Sequence, residues 1–213
     1  MLYKISQTIG RILFWFLFPI QCEGVENIPQ AGACLVVANH ASFLDPFVMG
    51  TFMPRPIHFL MYARYYFFPL FHWYCKRTEC IPLKKNGRDI SALKQALRLL
   101  RAGNIIGIFP EGERSVTGKL GPGAPGVALI ALKANVPIVP IGIIGTYEAF
   151  PRGSRFPRLR RPITVRYGKP FRIDDELQGV QDGRKADEDR QQRATALIMQ
   201  KIADVCAIAN SLT

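Results

Sequence analysis

The chain has 213 residues, 48% of them apolar, which is enough for one sizeable core and excludes general disorder. Sixteen Pro and 18 Gly occur without repeat, so collagen-like, low-complexity and solenoid architectures are excluded as well. The 28 basic residues outnumber the 16 acidic ones, and the formal charge of +12 points to an anionic partner: nucleic acid, anionic membrane, phosphorylated substrate or acidic protein.

Residues 12–20, ILFWFLFPI, are apolar at eight of nine positions and uncharged. A spanning helix needs about 20 such residues, so this run is too short to cross a bilayer. The region after it, Gln21-Cys22-Glu23, is a poor signal-peptide cleavage site. The expectation is an interfacial anchor over residues 1–22, with Phe, Trp and Leu dipping into one leaflet, followed by a single domain over 23–213. A helix docked on its own core is the competing reading.

ACLVVAN (33–39) reads as a buried strand, IHFLMY (57–62) as another and CIPL (80–83) as a weak third. Between them, YYFFPLFHWY (65–74) holds seven aromatics in ten positions, suited to a water–lipid boundary. The spacing predicts a helix over 88–102, with Ile90, Leu93, Leu97 and Leu100 as its apolar stripe and Lys94, Arg98 and Arg101 as a basic face. Strand 104–110, helix 126–135, the proline-interrupted strand 136–144, strand 163–168 and helix 191–209 complete the order. This alternation predicts an α/β fold with a mostly parallel central sheet flanked by helices. Residues 151–172 carry eight basic residues and no acid, a strong basic patch; residues 174–190 reverse the sign and read as a solvated loop.

Five scattered cysteines without a CxxC read as reduced thiols, and the three histidines lack a metal-binding frame, so no metal site is expected. No P-loop and no GxSxG occur. The basic residues come with no nucleic-acid-binding motif, and the apolar N-terminus argues against that partner.

The chemistry concentrates at two strand ends. His40 and Asp45 follow the first strand, and on a helix residues five apart lie about 140° apart, so only a turn brings them together. Asp45-Pro46 reads as a helix start, Asp at the N-cap and Pro at N1. A His–carboxylate pair at the carboxyl end of a strand suits general-base chemistry on a hydroxyl. The bland alternative is a capping Asp with a His packed nearby. After strand 104–110, a turn would bring Arg114 to the same sheet edge, where its planar fork suits phosphate; Arg77 is a second candidate.

Asn39-His40-x4-Asp45 and Phe109-Pro110-Glu111-Gly112-x-Arg114-Ser115, with Val136-Pro137-Ile138-Val139-Pro140 after them, resemble the glycerolipid acyltransferases, specifically the lysophosphatidic acid acyltransferases. The resemblance covers roughly 30–210 and implies a glycerol-3-phosphate acyltransferase-like fold. It implies His40 as general base oriented by Asp45, with the substrate held by Arg77, Glu111, Gly112, Arg114 and Ser115. It implies acyl-ACP or acyl-CoA as donor, lysophosphatidic acid as acceptor, no cofactor, and a peripheral or monotopic place on the cytoplasmic face of the membrane. Two departures concern the acceptor: Glu113 stands where many relatives carry Thr, and Ala124 where many carry a Lys. Glycerol 3-phosphate or another lysolipid as acceptor, and a non-catalytic lipid-binding protein, are the alternative readings.

Overall fold

The computed structural model describes residues 2–84, 89–177 and 184–207. In chain order its helices are α1 (Leu2–Leu17), α2 (Asp45–Phe52), α3 (Ala63–Tyr66), α4 (Pro69–Arg77), α5 (Ile90–Arg101), α6 (Gly126–Ala134), α7 (Thr146–Ala149), α8 (Ile173–Glu176) and α9 (Arg184–Ala207). The strands are β1 (Ile20–Glu23), β2 (Cys34–Ala38), β3 (Ile57–Tyr62), β4 (Ile81–Leu83), β5 (Ile105–Ile108), β6 (Ile138–Ile144) and β7 (Ile163–Tyr167).

The seven strands form one sheet in the order β1-β7-β6-β2-β5-β3-β4. Every neighbouring pair is parallel except β6 with β7. The central strands β2 and β5 are buried at every position, which is why they read as continuous apolar runs. Alternate residues of β2 face opposite layers. Val36 and Ala38 join Phe14 of α1 and Val48 and Met49 of α2 in one core. Leu35 and Val37 join residues of α5, α6 and α9 in the other. The result is three layers, helix on sheet on helix.

Pro140 lies inside β6, where a proline would ordinarily remove a ladder bond. It sits where the antiparallel ladder with β7 ends, at Ile141 opposite Tyr167, so its missing N–H interrupts no pair there. Its carbonyl still accepts from the Gly168 N–H at 2.8 Å.

Several expectations change. The expected anchor boundary at residue 22 falls inside β1, an edge strand too short and too exposed to show a pattern. The buried stripe of α5 is Ala92, Ala96, Leu99 and Leu100, whereas Ile90 is 66% exposed. The helix begins only after the Asp89 cap, so Ile90 stands at its open end, outside the stripe. Arg88, part of the expected helix, lies outside the described residues, as do 208–209 of the last one. The acidic stretch is helical at 174–176 and again from 184, with 178–183 outside the described residues. Arg166 is not part of a surface patch: it is buried in β7 and pairs with Glu23 of β1 at 2.7 Å.

Candidate active site

Strands β2, β5, β3 and β4 run parallel, and all end at the same edge of the sheet. The chain leaves β2 for α2, on one face, and leaves β5 for α6, on the other. A crevice opens between two neighbouring strands whose connections part in this way. His40 follows β2 and Glu111 follows β5, one on each side of that crevice.

The His40 turn is organised by Asp45. The ring Nδ1–H of His40 donates to Asp45 Oδ2 at 2.8 Å. The same oxygen accepts from the N–H groups of Ala41 and Ser42, both at 2.7 Å. Asp45 is wholly buried, whereas the His40 side chain keeps 16% of its surface exposed. With Nδ1 committed as a donor, Nε2 carries the free lone pair. The helix itself starts differently from the expectation. Leu44 is its N-cap and makes no side-chain cap bond, while Asp45, its first residue, turns backward. Three donors from residues 40–42 outcompete a single helix-capping N–H. Asp45 Oδ1 is buried without a partner among the described residues.

Glu111 acts as a strut. Its Oε1 accepts from the His40 N–H at 2.7 Å and its Oε2 from the Gly121 N–H at 2.9 Å. Burial pushes its carboxyl above the ordinary carboxylate value, and the Asp45 charge adds to this, against the two backbone hydrogen bonds, which pull it down. The His40 ring stacks on Phe109 with centroids 4.2 Å apart. The Ser115 N–H donates to the His40 carbonyl at 2.7 Å, and the Ser115 hydroxyl to the Lys119 carbonyl. On the other side, the buried Asn39 amide exchanges two hydrogen bonds with the backbone of Ile143, at 2.8 and 2.7 Å, and locks the end of β2 to β6.

Gly112 makes the turn out of β5, with its N–H on the Phe109 carbonyl at 3.0 Å. Its φ of 73° is left-handed, and a Cβ there would stand 3.1 Å from Tyr62 Oη. The turn delivers Arg114, whose guanidinium lies over the Phe43 ring at 5.7 Å, next to the His40–Asp45 turn. Arg152 donates to the Arg114 carbonyl at 3.1 Å and pairs with Glu113 at 3.7 Å. Glu113 thus has a cationic partner other than Arg114. Ala124, the second departure, donates its N–H to the Pro110 carbonyl at 2.7 Å.

His40, Asp45, Glu111, Gly112, Arg114 and Ser115 are therefore brought together. Arg77 is not brought to them. It ends α4, exposed, over the Trp73 ring at 5.7 Å. The next carbonyl, Thr78, accepts from His58 Nδ1 at the start of β3, so Arg77 lies toward the edge where strands begin. The basic residue that follows β4 at the His40 edge is Lys84, which sequence reasoning missed. Asn39 as a lock, Phe109 as a stacking floor and Arg152 as a rim cation were missed in the same way, because each acts on a partner remote in sequence.

Residues 19–144 match the family model described as Acyltransferase, and the chain belongs to that family. It is 31% identical to the chloroplastic 1-acyl-sn-glycerol-3-phosphate acyltransferase BAT2 of Brassica napus, over 70% of this chain and 44% of that one. It is 34% identical to the 1-acyl-sn-glycerol-3-phosphate acyltransferase of Cocos nucifera, over 80% of this chain and 56% of that one. The chain spans about half the length of these curated relatives. Its fold matches the crystal structure of the 1-acyl-sn-glycerophosphate (LPA) acyltransferase PlsC from Thermotoga maritima with a TM-score of 0.73 and 25% identity, covering 96% of this chain and 80% of that one.

Proposed function

We propose that this chain moves a fatty acyl group from an acyl thioester, acyl-ACP or acyl-CoA, to the free hydroxyl of 1-acylglycerol 3-phosphate, giving phosphatidic acid. The observation that carries the reading is the His40–Asp45 pair at 2.8 Å, with Nε2 uncommitted at the mouth of the crevice. The names of the relatives supply the substrate class.

In this scheme His40 Nε2 takes the proton of the acceptor hydroxyl as its oxygen attacks the thioester carbonyl. Asp45 holds the tautomer and offsets the charge the ring acquires. The tetrahedral intermediate collapses, the carbon–sulfur bond breaks, and the proton passes from the imidazolium to the leaving thiolate. No acyl-enzyme forms and the scheme draws on no cofactor. Arg114 is the proposed phosphate ligand, with Arg152 beside it at the rim. Glu111 and Gly112 shape the site by holding the His40 backbone and the Arg114 turn.

The proposed location is the cytoplasmic face of a membrane, bound from one side. No helix among the described residues is long and apolar enough to cross one. Support for interfacial binding is the outer face of α1, where Ile9, Ile12, Trp15 and Phe16 are each more than half exposed. The inner face is docked: Tyr3 and Gln7 bond the carbonyl of Gly50, and Phe14 packs near Phe52.

The test is acyl transfer by purified wild type and His40→Ala, with 1-acylglycerol 3-phosphate and glycerol 3-phosphate as acceptors. Loss of His40 should lower the rate by roughly 100-fold or more, with circular dichroism unchanged. A wild type that never acylates 1-acylglycerol 3-phosphate, or a mutant at full activity, refutes the assignment.

A further inference from the structure

The segment 151–161 between α7 and β7 carries five arginines, and all of them are exposed. Two large apolar side chains stand among them: Phe156 is 79% exposed and Leu159 55% exposed. Phe156 is the most exposed large apolar residue described. Apart from Arg152 at the rim of the crevice, neither the core nor the proposed chemistry uses these residues.

Topology places the segment. β6 runs parallel to β2, so the chain that leaves β6 emerges at the His40 edge. β7 runs antiparallel to β6, and β1 runs parallel to β7, so β1 begins at that same edge. The segment is stitched to both neighbours there. The Arg160 N–H donates to the Leu17 carbonyl at the end of α1, at 2.8 Å. At its other end Pro151 bridges Ser42, and the Ser42 hydroxyl donates to the Phe150 carbonyl at 2.7 Å. It thus joins the exposed Trp15–Phe16 end of α1 to the rim of the crevice.

We infer that residues 151–161 form a second membrane-inserting element, seating Phe156 and Leu159 among acyl chains and binding anionic headgroups through Arg155, Arg158, Arg160 and Arg161. The inference rests on the membrane placement proposed above and adds which element inserts, beside what, and into which lipid class. Charge and apolarity argue together. An acidic protein would satisfy the arginines but would need an apolar patch matched to Phe156 and Leu159, whereas an anionic bilayer offers headgroups and acyl chains together anywhere on its surface. Continuity with the α1 face makes one surface of the two elements. That surface brings the crevice to the lipid, so an anionic lipid acceptor meets the arginines before it meets Arg114.

The experiment uses the full chain, whose two tryptophans are Trp15 and Trp73. Replacing both by Phe and introducing Phe156→Trp makes position 156 the only tryptophan. A companion carrying only Trp73→Phe keeps Trp15 as reporter of α1. With vesicles of equal phosphatidylglycerol and phosphatidylcholine, both reporters should shift to the blue, and brominated acyl chains should quench both at least twofold. Quenching of Trp15 without quenching at 156 overturns this inference and leaves the membrane placement standing. Quenching of neither overturns both. In the otherwise native chain, Arg155→Gln, Arg158→Gln and Arg161→Gln together should weaken binding to these vesicles at least 10-fold and leave binding to pure phosphatidylcholine unchanged. Unchanged binding to the anionic vesicles, or an equal loss on both, refutes the headgroup role. Weakened binding to acyl carrier protein alone makes the segment a carrier dock and refutes it too.

Discussion

At the scale of single residues, the site is a set of backbone hydrogen bonds as much as a set of side chains. Glu111 shows this best: each of its oxygens holds one N–H, on His40 and on Gly121. Glu111→Gln leaves one acceptor and turns an amide donor toward the second N–H, so stability should fall by about 1–3 kcal/mol. The loss should depend on pH in a defined direction. Burial raises the folded-state pKa of Glu111 above its ordinary 4.5. A raised carboxyl contributes stability that is fully present below the unfolded value and is lost as pH rises through the folded value. Gln does not titrate, so the gap between wild type and Glu111→Gln should be widest near pH 4 and narrow toward pH 7. Urea unfolding at both pH values measures it; a gap that widens with pH contradicts the assignment. Spacing makes the His40–Asp45 pair one of two readings, beside a helix-capping Asp45, because a turn at a strand end can span five residues; the hydrogen bond at 2.8 Å decides between them. The Glu111 strut is not legible in that way, because its two partners belong to different loops.

At the scale of elements, loops and strand ends decide which side chains share an edge. Gly145 follows β6 with φ 87°, and a Cβ there would run into the Pro162 carbonyl oxygen. This close approach lets the chain turn into α7 and return as β7. Gly145→Ala combines a left-handed backbone with a backbone clash, and should cost about 2 kcal/mol or more. Thermal unfolding measures that loss; an unchanged midpoint shows that the turn relaxes freely. The same scale explains the misplacement of Arg77. Its position in sequence suits a site residue, but α4 runs back along the sheet and ends with Arg77 away from His40. In the aromatic segment Phe67, Phe68 and Trp73 are each more than half exposed.

At the scale of the molecule, the +12 charge is unevenly used. Arg166 pairs with Glu23 inside the fold and Arg152 pairs with Glu113 at the surface, where Arg155, Arg158, Arg160 and Arg161 are also exposed. Charge and apolar area should therefore contribute separately to membrane binding. Partition of the wild-type chain to phosphatidylglycerol-containing vesicles should fall about 10-fold between 50 and 500 mM salt, as screening shortens the reach of each charge. A residual partition should persist at high salt, carried by the exposed face of α1. Sedimentation of vesicles across a salt series checks both parts. Salt-independent binding would leave the positive surface without an electrostatic role, and complete loss would leave the α1 face without an apolar one.

What the amino-acid sequence determined by itself was whatever is encoded within a few residues. Buried parallel strands are apolar on both faces, so β2 and β5 could be read as uninterrupted runs, and β6 as one interrupted by proline. His40 and Asp45 could be read as a pair because the turn that joins them is local, and the family resemblance added the reaction. Tertiary structure decided the contacts made across long separations. It set Glu111 on the His40 backbone, 71 residues away, and the Asn39 amide on Ile143, 104 residues away. It also added β1 to the sheet's edge and tied Arg160 to the end of α1. The physical reason is one of range. Turn geometry and strand burial act along neighbouring residues, whereas strand order and the crossing of helices depend on how separate apolar faces pack together.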